Sequence, residues 1–559
     1  MSRKALPAAL VALLALTIAA RPSGALDCQI EARGLDNDDV FTSVSCHGFK
    51  KFEQKTPNKY AQEMVLESGV KLFGGVGGHG VGIVLIQNKD INIVNSHFEN
   101  LPAEVKAGPI LAPLVVADAA SSVTNTDFLR QRTGLVAGGV YVTDNSNVVL
   151  KGCTLEGNLG ASVGGLSVDG TSAVAVEACT FDRNAAPGWA GSLQVGGSSD
   201  VEISNSVFIG THAPPSVDSV PQLKLSLAGK FRDDDLPNAK VTLLPVAGAV
   251  YATEGSRVTV ADTSFHGYSG QQGTVHVTGK SMAKLLRTNF TDNFVREGAG
   301  LYVGDASAAI ESTNFTTNMA TMGGALAMTG KGSLSIKSCR FHENTAISDG
   351  GALFLDSSLT GKCPKVGATV KLESSVFAGN DAKGRGGALL SVCSGSIDIK
   401  GISFVDNSAG GSGGGVHVAK GDALVVHGAS FWRNRASTGG GLFAEDTPQV
   451  TLDAVSCLSN IAASDLGKGA GAALVGVSKI TVTDSVFEYN VAQGDGSALA
   501  VSDADSATIT STQVQFNQAD GNGGGIAAST VDQLIVDNVS VHDNVATLNG
   551  GGLQGDRIG

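Results

Sequence analysis

A short motif returns along this sequence at a nearly constant interval. The tetrapeptide Phe-x-x-Asn and its degenerate copies mark 16 units, and most neighbouring copies lie 25 to 27 residues apart. A period of this length is typical of a repeat architecture rather than of independent globular domains. The clear copies begin at Phe181, Phe290, Phe315, Phe341, Phe377, Phe404, Phe431 and Phe487, and the degenerate ones at Phe98, Phe128, Leu155, Phe208, Phe265, Cys457, Val514 and Val541.

A glycine cluster followed by an aliphatic residue separates successive copies, as in Gly350-Gly351-Ala352-Leu353. Many of the chain's 74 glycines lie in such clusters, where they can supply positive φ and close backbone approach at a corner. Short period-two patterns such as Leu334-Ser335-Ile336 predict strands of three to five residues, and no helical period of useful length is present. The sequence therefore predicts an all-β parallel β-helix of about 16 coils.

Each repeated residue has a predicted structural task. We expect the Phe to point inward and stack on its counterparts, while the small residue two positions earlier makes room for that column. We expect the Asn to adopt a left-handed turn conformation and to form an amide ladder from coil to coil. The small residues are Cys153, Cys179, Ser206, Thr263, Thr288, Thr313, Cys339 and Ser375.

The two ends of the chain depart from the repeat. Arg3 and Lys4, an apolar run and Ser23-Gly24-Ala25 predict a signal peptide over residues 1–25 and hence a secreted, extracellular or cell-surface protein. Residues 26–80 are predicted to form an N-terminal cap, and residues 81–559 the β-helix. An insertion is expected at 211–246, because Phe208 and Phe265 lie far apart. Since the sequence ends inside a repeat, we expect the C-terminus to be incomplete.

Eight cysteines fit an oxidising compartment but are too sparse for a disulfide scaffold. Their positions predict two disulfides, Cys28 with Cys46 and Cys363 with Cys393. No Cys-x-x-Cys motif occurs, so we expect no zinc site and no cofactor.

The pairing of Phe-x-x-Asn with Gly-Gly-Ala-(Leu/Ile/Val) resembles the polymorphic outer-membrane protein (Pmp-type) repeat family. The resemblance covers roughly residues 85 to 559. It implies a right-handed parallel β-helix of the pectin-lyase-like superfamily, with a surface or adhesive role.

Charge narrows the choice of partners. The net charge is −13 and no block of Lys or Arg occurs, which excludes an electrostatic footprint for nucleic acid. No apolar run after residue 25 is long enough to span a membrane.

The first hypothesis is a non-enzymatic protein that binds a glycan or a cell-surface protein, or that serves in the extracellular matrix. The alternative is a lyase or hydrolase acting on an acidic polysaccharide, since this fold class hosts such enzymes.

One column suggests a binding face. In the strand after the glycines, the residue between two inward aliphatics should point outward, and it is often aromatic. We hypothesise that this exposed stripe binds a glycan or a partner protein. Alternatively, the aromatics suit strands, stack on one another or lie under the 211–246 insertion. The candidate binding residues are Tyr141, Tyr251, His276, Tyr302, Phe354, His417 and Phe443.

Two smaller features remain. The run Asp233-Asp234-Asp235 could bind calcium, although a solvated acidic turn explains it as well, since it lacks the spaced ligands of a calcium loop. Asn289, Asn314 and Asn538 begin glycosylation sequons, which matter if the source is eukaryotic.

Overall fold

The chain winds into a right-handed parallel β-solenoid of about 16 turns, which confirms the predicted fold. The computed structural model describes residues 26–34, 40–46, 52–56, 64–65, 70–72, 81–87, 91–101, 104–105, 108–133, 135–210, 245–358, 362–364 and 366–558. Every regular element in these ranges is a β-strand, and each coil contributes to three or four sheets, named A to D here in chain order. No helix that could span a membrane is found in the described part of the chain.

Sheet A begins directly after the glycine cluster of each coil. Leu326 and Met328 point into the core, and each strand pairs in parallel with the same strand of the next coil. The strands of sheet A are Val81–Gln87, Gly108–Ala117, Val140–Thr143, Leu166–Val168, Leu193–Val195, Val250–Ala252, Val275–Thr278, Leu301–Gly304, Leu326–Thr329, Leu353–Asp356, Leu389–Val392, Val416–Ala419, Leu442–Glu445, Ala472–Val475 and Leu553–Ile558.

Sheet B shows the clearest alternation of buried and exposed residues, as in Ser333–Lys337, where Leu334 and Ile336 are buried. Two long strands, Leu499–Thr510 and Ile526–Asp537, run through both sheet A and sheet B. The other strands of sheet B are Ile91–Val94, Ala120–Thr124, Asn147–Lys151, Ala173–Glu177, Asp200–Ser204, Arg257–Ala261, Met282–Leu286, Ser307–Glu311, Thr369–Glu373, Ser396–Lys400, Ala423–His427, Gln449–Asp453 and Lys479–Thr483.

Sheet C carries the Phe column. Twelve phenylalanines of the motif are fully buried, and their rings stack along the axis, with centroids 4.5 Å apart for Phe341 and Phe377 and 5.2 Å for Phe377 and Phe404. The strands of sheet C are His97–Glu99, Asp127–Leu129, Thr154–Glu156, Thr180–Asp182, Val207–Ile209, Ser264–His266, Asn289–Thr291, Asn314–Thr316, Arg340–His342, Val376–Ala378, Ser403–Val405, Ser430–Trp432, Ser456–Leu458, Val486–Glu488, Gln513–Gln515 and Ser540–His542.

Sheet D is short and follows the predicted asparagine ladder. Asn407 donates from its backbone N–H (3.1 Å) and from Nδ2 (2.9 Å) to Oδ1 of Asn434, and the same pair of bonds recurs from Asn293 to Asn544. The strands of sheet D are Ser269–Gln272, Phe294–Glu297, Met319–Met322, Thr345–Ala346, Asp381–Ala382, Ser408–Ala409, Arg435–Ala436, Ile461–Ala462, Val491–Ala492, Gln518–Ala519 and Val545–Ala546.

The prediction that the ladder asparagine is itself left-handed was wrong. The residue before it takes that conformation, with φ of 53° at both Asp406 and Arg433. The turn therefore falls on an outward-facing residue, which leaves the asparagine free to aim its amide into the coil. The side chains of Asp406 and Arg433 stack in adjacent coils as an ion pair, with Nη2 and Oδ2 2.6 Å apart.

The glycine corner between sheets D and A requires glycine for two reasons. Gly350 has a φ of +69°, and a Cβ on Gly351 would lie 1.9 Å from the carbonyl oxygen of Gly387 in the next coil. Any side chain at the second position would therefore force the coils apart.

The N-terminal end of the solenoid carries additional strands. Leu26–Gly34 pairs in parallel with Ile91–Val94 and His97–Glu99, and antiparallel with Val40–Cys46. Shorter strands follow at Phe52–Thr56, Met64–Val65, Val70–Leu72 and Glu104–Val105. The predicted signal peptide and most of the 211–246 insertion, with Asp233, Asp234 and Asp235, lie outside the described residues.

Candidate functional site

The predicted aromatic stripe occupies one column on the outer face of sheet A, but its expected exposure was wrong. Tyr141 is half-buried, and the other six residues are buried. These six are Tyr251, His276, Tyr302, Phe354, His417 and Phe443. They cannot offer open aromatic faces to a ligand.

Two kinds of contact bury this column. The rings cover one another along the axis, with centroid distances of 5.0 Å for Tyr251 and His276 and 4.9 Å for His417 and Phe443. The glycine corner also covers the rings from the side. At Gly439 it approaches Phe443 so closely that a Cβ placed on the glycine would lie only 2.7 Å from Cβ of Phe443. The column is therefore a second core outside the main one, filled by these rings together with Ala327 and Leu390.

The same column changes character in the C-terminal coils. After Phe443 it continues with Ala473, Ala500 and Ala527. Since methyl groups replace rings there, a groove of about 330 Å³ opens on the outer face of sheet A, and we call it the C-terminal groove. Its lining comprises Thr438, Leu466, Lys468, Ala473, Val475, Asp495, Ala500, Val501, Ser502, Asn522, Ala527, Ala528, Ser529, Gln554 and Asp556.

A row of polar side chains runs along one wall of this groove, each directly before a glycine corner. Nζ of Lys468 lies 3.4 Å from Oδ2 of Asp495, and Oδ1 of Asp495 accepts bonds from the backbone N–H (2.8 Å) and Nδ2 (3.1 Å) of Asn522. Nδ2 of Asn549 donates in turn to Oδ1 of Asn522 at 3.0 Å. The wall therefore holds its donors and acceptors in fixed directions.

The charge state of Asp495 follows from these contacts. Burial raises the pKa of Asp495, but the hydrogen bonds from Asn522 and the charge of Lys468 outweigh burial, so the pKa lies below its ordinary value. The groove thus keeps an ionised carboxylate beside an ammonium group at neutral pH.

A second polar cluster lies one coil before the groove, around the buried His417. Its Nδ1 is 2.8 Å from Oγ of Ser412, and its Nε2 is 3.3 Å from Oε1 of Glu445. His417 is 1% exposed, whereas Ser412 and Glu445 are partly exposed. Ser412 also forms a β-bridge with Thr438, which lines the groove, so the cluster borders the groove at this residue.

Glu445 is held in its ionised form. The hydrogen bond from His417 lowers the pKa of Glu445, burial opposes this effect, and the positive charges of Arg385 and Lys420 lower the pKa further. The side chain of Arg385 lies beside Gly411, the residue before Ser412. A Cβ placed on Gly411 would be 3.3 Å from Cγ of Arg385.

Sequence reasoning missed both sites. The aromatic residues of the sheet A column end at Phe443, and extending the column by one repeat at a time reaches the alanines of the groove. The cluster of Ser412, His417 and Glu445 was missed because its members are separated by 5 and 28 residues. They meet only after one coil is stacked on the next.

The other predicted residues lie away from these sites. A disulfide joins Cys363 and Cys393. Cys28 is disulfide-bonded, and its backbone pairs with that of Cys46. Asn289, Asn314 and Asn538 are exposed, and glycosylation there stays a prediction. Within the described ranges, no group of three or more His, Cys, Asp or Glu side chains could hold a metal ion.

The solved structures that the chain resembles include two modules of bacterial enzymes. The A-modules of the Azotobacter vinelandii mannuronan C-5 epimerases AlgE6 and AlgE4 are 10% and 9% identical to this chain. The alignments cover 83% and 82% of this chain and 90% and 91% of the modules, with TM-scores of 0.17 and 0.16. At such values neither relative supports an argument about substrate.

Family membership rests on the sequence itself. No curated protein matches the chain. The profile of the right handed beta helix region matches residues 69–218 and 360–538, which is more than half of the sequence, and the coils described above provide the corresponding structure. The chain belongs to the right-handed β-helix family.

Proposed function

We propose that this protein is a secreted, extracellular glycan-binding protein that holds a carbohydrate chain along the C-terminal groove. The observation that carries the proposal is the combination of an alanine floor with the polar wall of Lys468, Asp495 and Asn522. Ligand sites of proteins are concave, with a few fixed polar groups that set orientation. Ala473, Ala500 and Ala527 are themselves 1%, 7% and 8% exposed, so the floor sets the depth of the groove, and the wall supplies polar contacts to the hydroxyl groups of a sugar ring.

The repeat of the coils also suits a polymer. Parallel strands lie about 4.8 Å apart, so the groove presents a new polar position at each coil. A chain of similar sugar units can meet these positions one after another. This match supports a linear glycan rather than a single compact ligand.

The charge of the groove favours a neutral glycan. One lysine faces two aspartates, Asp495 and Asp556, and the whole chain carries a net charge of −13. A polymer of uronic acids would be repelled by this field. The proposal therefore departs from the alternative of an enzyme that acts on acidic polysaccharide.

The repeat motif supports an adhesive role for this binding. We propose a Pmp-type repeat protein at a cell surface, because the chain pairs Phe-x-x-Asn with Gly-Gly-Ala-(Leu/Ile/Val). A rigid rod that carries a glycan site on its side would link a cell to a carbohydrate surface.

The test is to refill the groove. The variant Ala500→Phe places a ring where Phe443 and Phe354 already fit in the same column, so the fold should tolerate it. On an array of immobilised neutral and acidic glycans, we expect the wild-type protein to bind neutral chains and Ala500→Phe to lose at least about tenfold in affinity, or ~1.4 kcal/mol.

The matched control is Val425→Phe, which adds the same ring on the outer face of sheet B. It should bind like the wild type. Equal binding by Ala500→Phe and wild type would refute the groove as the site. Release of shortened or unsaturated oligosaccharides from a bound polymer would instead support the alternative of a polysaccharide-cleaving enzyme.

A further inference from the structure

We infer that Ser412, His417 and Glu445 form a serine-nucleophile site that cleaves carboxylic ester bonds, such as those of acyl groups carried by a ligand in the neighbouring groove. This activity goes beyond glycan binding and does not depend on it. The geometry that carries the inference is the chain of contacts from Oγ of Ser412 to Nδ1 (2.8 Å) and from Nε2 to Oε1 of Glu445 (3.3 Å).

Packing alone does not explain these contacts. Phe354 and Phe443 fill the same column without polar partners, so a buried ring there needs neither a serine nor a carboxylate. Around Phe443, the residue equivalent to Ser412 is Thr438, and the residue equivalent to Glu445 is Val475 of the next coil.

His276 provides an internal comparison. It lies in the same column and is 4% exposed, but its Nδ1 has no hydrogen-bond partner, and the place corresponding to Glu445 is Gly304. His276 therefore shows that a histidine can fill this column by packing alone. His417 differs from it by having a hydroxyl group on one nitrogen and a carboxylate on the other.

The contacts define the direction of proton transfer. With its proton on Nε2, His417 donates to Glu445 and presents the Nδ1 lone pair to the Ser412 hydroxyl, which is closer than the Ser412 carbonyl oxygen at 3.4 Å. Glu445 then holds the ring in this tautomer and stabilises the imidazolium that forms.

The reaction balances with water as the only co-reactant. Oγ of Ser412 attacks the ester carbonyl carbon and its proton moves to Nδ1 of His417. The carbon–oxygen bond to the alcohol breaks, and the alkoxide takes the proton from His417. Water, deprotonated by His417, then attacks the acyl-serine, and the carboxylic acid leaves as Ser412 regains its proton.

Access and charge are compatible with this chemistry. Ser412 is partly exposed and borders the open groove through Thr438. Arg385 is a cation at the same position one coil earlier, and its Nη2 lies 3.3 Å from Oδ2 of Asp349. We expect this cation to stabilise the negative charge that develops on the carbonyl oxygen during attack by Ser412.

The test uses a fluorophosphonate probe, in which a serine nucleophile displaces fluoride and forms a P–O bond. We expect the wild-type protein to be labelled and peptide mass spectrometry to locate the label on Ser412. His417→Phe keeps a ring in the column but removes the base, so labelling and hydrolysis of 4-nitrophenyl acetate should fall about 100-fold or more. Glu445→Gln should reduce both less severely.

Ser437→Ala is the matched control, since Ser437 is a partly exposed serine of the next glycine corner, as Ser412 is of its own, and its Oγ donates to the Gly410 carbonyl oxygen at 2.6 Å. It should be labelled like the wild type. Circular dichroism establishes that each variant is folded. An unlabelled wild type, a label on another residue, or equal labelling of His417→Phe would overturn the inference, and none of these outcomes bears on glycan binding.

Discussion

At the scale of single residues, a buried polar side chain in this solenoid depends on the neighbouring coils for its hydrogen-bond partners. The ladder asparagine illustrates this dependence. Nδ2 of Asn434 donates to the Phe404 carbonyl oxygen (2.9 Å) and to Oδ1 of Asn460 (3.0 Å), while Asn407 donates to Asn434. All of these groups are buried, so each amide satisfies atoms of the coil before it and of the coil after it.

The small residues before the Phe form a second ladder that the sequence did not predict. The backbone N–H of Cys179 donates to Oγ of Ser206 at 3.1 Å, and that of Cys339 to Oγ of Ser375 at 2.9 Å. The column does more than make room for rings. It also pairs backbone groups that would otherwise be buried without partners.

Replacing Asn434 by Ala should destabilise the protein by about 3 to 5 kcal/mol, since it leaves the Phe404 carbonyl and donors of Asn407 unpaired at about 1–3 kcal/mol each. Urea denaturation followed by Trp432 fluorescence, in a background in which the other tryptophan is removed by Trp189→Phe, would measure the change. The control is Asn314→Ala, which removes an exposed amide contact to Asn289 (2.9 Å) and should cost under about 1 kcal/mol. Equal losses for the two variants would contradict the ladder argument.

At the scale of strands and sheets, the strand pattern and the Phe and Asn columns were predictable, because each depends on residues that recur with one period. The exposure of the sheet A column was not. Alternation along one strand indicates that Tyr302 points out of the main core. Only the stacked coils show that the glycine corners at Gly273 and Gly298 cover the outward-pointing side chains of sheet A. The groove is the place where that layer lacks rings.

The buried layer on sheet A makes a pH prediction possible. Burial lowers the pKa of His276 to about 4, below the ordinary value of 6.5 that applies in the unfolded chain. The unfolded state therefore takes up a proton first as the pH falls. Full stability is present above pH 6.5 and decreases down to about pH 4, by about 3 kcal/mol for this group.

Thermal unfolding between pH 7 and pH 4 would measure this effect in wild type and in His276→Phe. The variant keeps a ring in a column that already accepts phenylalanine, and it should lose stability less steeply over this range. Tyr251→Phe, in the neighbouring coil of the same column, keeps His276 and removes no group that titrates in this range, so it should retain the wild-type slope. A slope in His276→Phe as steep as that of the wild type would contradict the prediction.

At the scale of the whole molecule, each coil contacts mainly the coils before and after it, so stability is expected to be local rather than shared by the entire rod. Sheet register shows this directly, since Phe377 pairs with Phe341 and Phe404 and with no more distant coil. This locality also explains why functional sites were hard to predict. They arise between coils, whereas the repeat describes only one coil at a time.

The last prediction tests this locality in the middle of the Phe column. Phe377→Ala removes a fully buried ring and should cost about 3–5 kcal/mol. Because neighbouring coils alone lose contacts, hydrogen exchange measured by mass spectrometry should increase around residues 341–404 and stay unchanged near Phe181 and Phe487. Phe516→Ala, at an exposed ring, is the control and should change exchange little. A uniform increase along the rod would mean that the coils unfold as one cooperative unit, and the nearest-neighbour description would then have to be abandoned.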